Sequence, residues 1–266
     1  MSVIDTATDT VVRTLPGGKR PRGIATDGTH LYISEAPSSS LVVVNIDTAR
    51  QIKSIKLGES PEGVSVSADN RLIAAAVEES NSVVLLDARK RRQIAEIKVE
   101  GDNPEHAVFS PDGRWLLVSA ENAEQVDVVD VRARRQVGSI PVGKRHRGIG
   151  FTPDGKRAYV ACELVSTVYA IDMDSRQVIA EIKAGTYANG VAMAPDGSRV
   201  YVSNGKDATV SVIRTSDHQI EATIPVGKRP WNMAVTPDGR KLYVANGRSD
   251  SVTVIDTHRL EAVSDI

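Results

Sequence analysis

Short apolar strands recur along this chain, each closed off by Gly, Asp, Asn or Pro, and no stretch of comparable length carries a helical period. The order of these strands repeats. Pro21-Arg-Gly23, Pro61-Glu-Gly63, Pro104-Glu-His106, His146-Arg-Gly148, Ala188-Asn-Gly190 and Pro230-Trp-Asn232 open six units, spaced 40, 43, 42, 42 and 42 residues apart. A first strand follows each opening, as in Ile24-Ala25. A turn comes next: Asp27-Gly28, Asp69-Asn70, Asp112-Gly113, Asp154-Gly155, Asp196-Gly197 or Asp238-Gly239. Gly accepts positive φ there, Asp bonds its own backbone, and Asn70 is the next best substitute for Gly. A second strand such as Leu242-Tyr-Val-Ala-Asn246 and a third such as Val252-Thr-Val-Ile-Asp256 follow. A fourth ends in Ile140-Pro-Val-Gly143 or Ile224-Pro-Val-Gly227.

Four antiparallel strands in a unit of this length predict one blade of an all-β propeller. A parallel β-helix would need shorter coils, and a sandwich would not repeat its sequence. Residues 1–266 are therefore expected to form a single propeller domain, with units starting at 21, 61, 104, 146, 188 and 230. Residues 1–20, from Ser2-Val-Ile-Asp5 to Leu15-Pro-Gly-Gly18, match only the third and fourth strands of a unit. The sum is about six and a half blades. One reading is a seven-bladed type in which the half-blade lacks its first two strands. The other is six-bladed closure with the N-terminal strands covering an edge. An open edge is an aggregation liability, yet the seven-bladed geometry is preferred, because the missing piece is almost what the half-blade needs.

The second strands Leu31-Tyr-Ile-Ser-Glu35, Ala158-Tyr-Val-Ala-Cys162, Val200-Tyr-Val-Ser-Asn204 and Leu242-Tyr-Val-Ala-Asn246 carry a resemblance. With the Pro-Asp-Gly turns and Val-Ile-Asp-Thr strands, the chain resembles the YVTN-repeat family of seven-bladed propellers over essentially its whole length. The pattern frays at Ala74-Ala75-Ala76 and at Arg214. The Pro-Glu-Gly and Arg-His-Arg-Gly openings look most like the periplasmic subgroup that accompanies pyrroloquinoline-quinone-dependent alcohol oxidation. The resemblance implies fold rather than activity, because propellers host many functions. It implies a periplasmic or extracellular location.

Composition narrows the chemistry. Of the 266 residues, 41% are hydrophobic and only 4% aromatic, so the core is aliphatic and suits packed sheets. With 33 basic and 34 acidic side chains the net charge is −1, which lacks the basic signature of a nucleic-acid binder. One cysteine, Cys162, excludes an intrachain disulfide and a cysteine-based zinc site, and is read as a small buried hydrophobe. No apolar run reaches membrane-spanning length. The N-terminus has neither a basic nor an apolar leader region. It begins inside a repeat, so a leader on a longer parent is compatible with this.

Strand order puts the repeat openings and the ends of the second strands on one face, with the Asp-Gly turns on the other. The middle residue of each opening varies where the rest does not: Arg22, Glu62, Glu105, Arg147, Asn189 and Trp231. These six are the candidate ligand-binding ring at the channel mouth, the alternative being charges that pair with one another. Nearby loops add Lys19-Arg20, Lys144-Arg145 and Lys228-Arg229 on blades one, four and six, and Glu35, Glu78, Glu79, Glu121 and Glu163, many of them on blades two and three. Such a division would orient a charged partner or an anionic ligand. His106, His146 and Glu105 are the candidate ligands for a divalent metal, the only cofactor suggested, although they lack the short local spacing of a zinc motif. His30, His218 and His258 fall in turns and are expected to be solvated. Arg89-Lys-Arg-Arg92 and Arg132-Ala-Arg-Arg135 are read as solvated surface on the Asp-Gly face.

There is no Walker loop, G-x-S-x-G or H-E-x-x-H. The function expected is a non-catalytic binding or scaffold propeller that engages a protein partner or small ligand at the mouth. The alternatives are a lyase- or lactonase-like enzyme with a metal or acid–base site there, and nucleic-acid binding.

Overall fold

A computed structural model describes residues 1–15 and 18–266. Pro16 and Gly17, in the predicted end of the half-blade, lie outside the described residues. Two compact units make up the described chain: Met1 with residues 14–140, and residues 2–13 with 141–266.

The first unit holds three four-stranded antiparallel sheets, each in simple chain order. Blade 1 is β3 (Pro21–Thr26), β4 (His30–Glu35), β5 (Ser40–Asn45) and β6 (Gln51–Lys56). Blade 2 is β7 (Pro61–Val66), β8 (Leu72–Val77), β9 (Ser82–Asp87) and β10 (Arg92–Lys98), with a single 3-10 turn at Glu78–Ser80. Blade 3 is β11 (Pro104–Phe109), β12 (Trp115–Ala120), β13 (Gln125–Asp130) and β14 (Arg135–Pro141). Apolar clusters lie between neighbouring sheets: Tyr32, Leu41 and Val43 pack on Ile73, Ala75 and Leu86, and Leu85 and Ile97 pack on Phe109 and Leu116.

The second unit repeats the plan. Blade 4 is β15 (His146–Phe151), β16 (Arg157–Cys162), β17 (Thr167–Asp172) and β18 (Gln177–Lys183). Blade 5 is β19 (Ala188–Met193), β20 (Arg199–Asn204), β21 (Thr209–Arg214) and β22 (Ile220–Pro225). Blade 6 is β23 (Pro230–Val235), β24 (Lys241–Asn246), β25 (Ser251–Asp256) and β26 (Glu261–Asp265). The two-stranded sheet β1 (Ser2–Asp5) and β2 (Thr10–Thr14) sits against blade 6. Lys241 Nζ donates to the Thr6 carbonyl at 2.9 Å and pairs with Asp9 at 2.8 Å, while Tyr243 Oη also donates to Asp9. At the same positions of earlier blades, Arg157 donates to the Thr215 carbonyl at 2.6 Å and Arg199 to that of Thr257 at 3.1 Å, each in the following blade. The hairpin thus stands to blade 6 as the third and fourth strands of a blade stand to the blade before it. Six full blades and this half-blade match the repeat count.

The Asp-Gly turns form as expected. Gly28, Gly113, Gly155, Gly197 and Gly239 have φ between 70° and 87°, and Asn70 takes 57° in Gly's place. In four of them a Ser or Thr ending the first strand donates to the Asp carboxylate, as Thr152 does to Asp154 at 2.6 Å. Those hydroxyls, with a backbone amide two residues on, hold Asp69, Asp112, Asp154 and Asp238 below the usual carboxylate range.

Every first strand begins with a bulge. The ladder steps from Pro21 to Ile24, Pro61 to Val64, His146 to Ile149, Ala188 to Val191 and Pro230 to Met233, leaving the motif's second and third residues outside the pairing. In blade 3 only Glu105 is left out. A bulge re-aims side chains without ending a strand. The bulged glycine faces the backbone of the next first strand. A Cβ on Gly23 would lie 2.6 Å from the Glu62 carbonyl oxygen, on Gly148 2.4 Å from that of Asn189, and on Gly190 2.1 Å from that of Trp231. In blades 1 and 5 a serine on the second strand ties the contact together. Ser203 Oγ accepts the Gly190 amide at 2.9 Å and donates to the Trp231 carbonyl at 2.6 Å, and Ser34 does the same between Gly23 and Glu62. Gly190→Ala should therefore destabilise by about 3 kcal/mol, the upper range for forced overpacking. Gly138→Ala, whose Cβ meets nothing within 4 Å, should change stability by less than ~0.5 kcal/mol. Urea denaturation of both variants checks the contrast.

Candidate functional site

The residue before each opening motif is in the left-handed region: Arg20 (φ 50°), Ser60 (54°), Asn103 (60°), Arg145 (56°), Tyr187 (63°) and Arg229 (56°). This conformation is uncommon for side chains of that size. It is held because it turns the residue's carbonyl toward the loop after the second strand. Ser60, Asn103, Arg145, Tyr187 and Arg229 carbonyls accept the amides of Glu78, Glu121, Glu163, Gly205 and Gly247, all at 2.8–3.0 Å. In each of these blades the opening loop and the second-to-third-strand loop are one braced surface. Sequence reasoning named Arg20, Arg145 and Arg229 only as loop cations, and missed Ser60, Asn103, Tyr187 and the conformation all six share. Arg, Ser, Asn and Tyr carry no common local signal, and only their place one residue before the repeat start marks them.

In the first unit these loops carry ten acidic residues against three basic ones. Arg22 Nε meets both oxygens of Glu62 at 2.8 and 2.7 Å, with Glu62 buried and Arg22 part-exposed. That hydrogen bond raises the Arg22 pKa; burial opposes the rise, and the negative fields of Glu62, Glu105 and Glu78 add to it. Glu78, Glu105 and Glu121 bring one carboxylate oxygen each to within 4.8 Å of one another, with Glu105 buried. Ser60 Oγ and Asn103 Nδ2 donate to Glu78 at 2.7 and 3.3 Å. Among the described residues this is the one group of three that could converge on a metal, and neither His106 nor His146 belongs to it. His106 is half-buried with its ring over Gly63, and His146 is fully buried. All-oxygen donors suit a hard divalent cation such as Ca²⁺ or Mn²⁺ rather than zinc.

In the second unit the same loops carry seven basic residues against three acidic ones. Buried Glu163 is the hub: Arg147 Nε lies 3.2 Å, Arg145 Nε 3.3 Å and Arg229 Nη2 3.8 Å from its carboxylate. Arg147 and Asn189 are buried between first strands, whereas Trp231 is 38% exposed. The Arg229 guanidinium stands 5.1 Å from the Trp231 ring centre and 5.9 Å from that of Tyr187, and Lys206 Nζ stands 5.7 Å from Tyr187. The acidic loops of blades 2 and 3 and the basic loops of blades 4 and 6 are those the charge pattern indicated. The carboxylate convergence and the Glu163 hub were not foreseen.

Three turn-face expectations are corrected. His30 and His218 are half-buried, not solvated. His30 bonds Asp27 at 3.1 Å and Arg91 at 3.2 Å, and His218 meets Tyr159 Oη at 3.3 Å, with burial lowering its pKa. Of the two basic runs only Arg91 departs, half-buried and reaching His30 in the preceding blade; Arg132–Arg135 lie exposed, as expected, with Arg134 donating to the Ile94 carbonyl at 3.2 Å. The reason is common to His30, His218 and Arg91: the third-to-fourth-strand turn packs on the previous blade's second strand. His258 is exposed, as expected.

Four-stranded antiparallel blades whose first strands lie side by side define a β-propeller. A family model for the YNCE-like β-propeller matches residues 24–196, and the chain belongs to that family. A model described as lactonase, 7-bladed β-propeller, matches residues 133–261. Among solved structures, hydrazine synthase of Kuenenia stuttgartiensis superposes with a TM-score of 0.87 at 24% identity, over 96% of this chain and 88% of that one. A functionally unknown protein from Desulfotomaculum acetoxidans superposes with a TM-score of 0.81 at 16% identity, over 90% and 80% of the two chains. At these identities the likeness is one of fold. A search of curated proteins found no match. No helix among the described residues is long and apolar enough to cross a membrane.

Cys162, fully buried at the end of β16, receives the Gly143 amide, and burial pushes its thiol up to about 12. The thiolate is the reactive species. At pH 8 in native buffer, alkylation by iodoacetamide should therefore be at least ~100-fold slower than in 6 M guanidinium, followed by intact-mass spectrometry.

Proposed function

We propose that this protein is a non-catalytic binding propeller whose opening loops engage a charged partner or ligand. The observation that supports this best is how the variable residues are used. Arg22 Nε is shared between both carboxylate oxygens of Glu62, Arg147 is drawn to Glu163, and the loops presenting Glu62 and Arg147 are braced backbone to backbone. Saturated pairs of this kind fix a charge pattern in space. A general acid or base instead needs a group poised to exchange its proton. Preformed loops suit recognition, because little ordering remains to be done on binding. The resemblance to the periplasmic subgroup supports placing that role in the periplasm.

A second reading is favoured by one observation. Glu78, Glu105 and Glu121 could hold a divalent cation that acts as a Lewis acid in a lactonase- or lyase-like reaction. The lactonase match spans residues 133–261 and so contains none of these three glutamates, which is why this reading stands second.

The two are separated by pH-stat assay of γ- and δ-lactone hydrolysis with EDTA-treated protein, before and after adding Mn²⁺, Ca²⁺ or Zn²⁺. The binding reading expects no rate above buffer in any condition and no difference between wild type and Glu105→Gln. A metal-dependent rate that Glu105→Gln abolishes would overturn it.

A further inference from the structure

The opening loops of blades 5 and 6 carry a patch that the ion pairs above do not consume. Lys206, Lys228 and Arg248 make no ion pair among the described residues, and all three are exposed. Arg229 is held only loosely by Glu163, at 3.8 Å. The acids beside them are two: Asp207, whose carboxylate accepts the Thr186 amide at 2.6 Å, and exposed Asp250. At the centre stand Trp231 and Tyr187 with the Arg229 guanidinium facing both rings. The loops are rigidly mounted. The Lys206 amide donates to the Thr186 carbonyl and the Arg248 amide to the Lys228 carbonyl, both at 3.1 Å, and the Lys228 amide donates to Ser249 Oγ at 2.7 Å.

Trp, Tyr and Arg are the side chains that most often dominate binding energy at protein interfaces, because they combine large rigid area with a polar handle. Here they sit together at the centre, with lysine and arginine at the rim and a net excess of positive charge. We propose that this patch is a docking surface for a protein segment rich in carboxylates. Its acidic side chains would pair with Arg229, Lys206 and Lys228 while its aliphatic atoms cover the exposed indole of Trp231. Single-stranded nucleic acid fits less well. It needs a line of cations along the backbone and repeated stacking platforms, whereas four cations with two interspersed acids surround one exposed indole. The inference rests on the reading of these loops as a binding face and names the kind of partner they take.

The test uses the full chain at 20 mM salt and a fluorescein-labelled twelve-residue peptide of alternating Glu and Ser, read by anisotropy. Saturable binding is expected. It should weaken at least fivefold in Trp231→Ala and in Lys206→Glu, both at exposed positions where folding is insensitive, and fall steeply on raising salt to 200 mM. Binding unchanged in both variants, or no binding, overturns the proposal. Labelled oligo-dT that binds more tightly than the peptide and loses affinity in the same variants also overturns it, in favour of nucleic acid. So does salt-sensitive self-association by sedimentation that blocks the peptide, in favour of a second copy. Lactone turnover reports separately on the functional reading. Turnover with intact peptide binding sinks only that reading, and neither turnover nor peptide binding sinks only this inference.

Discussion

The close approach of successive first strands is the constraint on which the rest depends. At Gly23, Gly63, Gly148 and Gly190 the neighbouring backbone occupies the space where a Cβ would be. That contact sets how tightly one blade can sit on the next, and in these four blades it accompanies the bulge that takes the motif's second residue out of the ladder. The second residue is then confined between two strands, on the side where the loops gather. A charge in that position must be paired, because an unpaired buried charge is costly. Arg22 with Glu62 and Arg147 with Glu163 are the outcome. Blades 3 and 6 put His106 and Asn232 at the glycine position, and there the pattern changes. His106 rejoins the ladder opposite Ser119, and Asn232 lies exposed.

The same geometry explains why the loops are stiff. A chain leaving a fourth strand must turn sharply to enter a bulged first strand. The left-handed residue makes that turn and aims a carbonyl at the adjacent loop. Tyr187 and Arg229 accept a conformation disfavoured for their size because the hydrogen bond it permits is otherwise unmade. Their side chains are thereby planted at fixed positions over the loops, and cation–π contact between Arg229 and both rings follows from placement rather than from chance encounter.

How much of this could be read from residues alone depended on range. The Asp-Gly turns, the four-strand script and the half-blade were legible because each is written in a few adjacent residues, down to Asn70 standing for Gly. The six variable positions and the acidic and basic loops were legible because the repeat made them comparable. Glu163 as the hub of three arginines was not, because Arg145, Arg147 and Arg229 come from two separated openings. Nor was the meeting of Glu78, Glu105 and Glu121, which joins three loops. His30 and His218 were misjudged because their partners, Arg91 and Tyr159, belong to neighbouring blades.

Departure from the repeat is therefore not by itself a mark of function. One backbone donor shows why. The loop glycine after the fourth strand of blades 2 to 5 offers a buried or half-buried amide that needs an acceptor. Gly185 finds Asn204 Oδ1 at 3.0 Å, Gly227 finds Thr253 Oγ1 at 3.3 Å, Gly101 finds Asp127 Oδ2 at 2.6 Å, and Gly143 finds the sulfur of Cys162. Asn, Thr, Asp and Cys look like four different chemistries in the sequence. In the fold they answer one demand, and Asp127, whose pKa burial raises, is further held by Gln125 and Gln136 at 2.9 Å. The variants that remain as candidates for recognition meet a second criterion: no backbone group requires them. Trp231, Lys206 and Lys228 pass it. Their side chains satisfy no main-chain donor or acceptor among the described residues, so neither blade packing nor loop bracing accounts for an exposed indole ringed by cations.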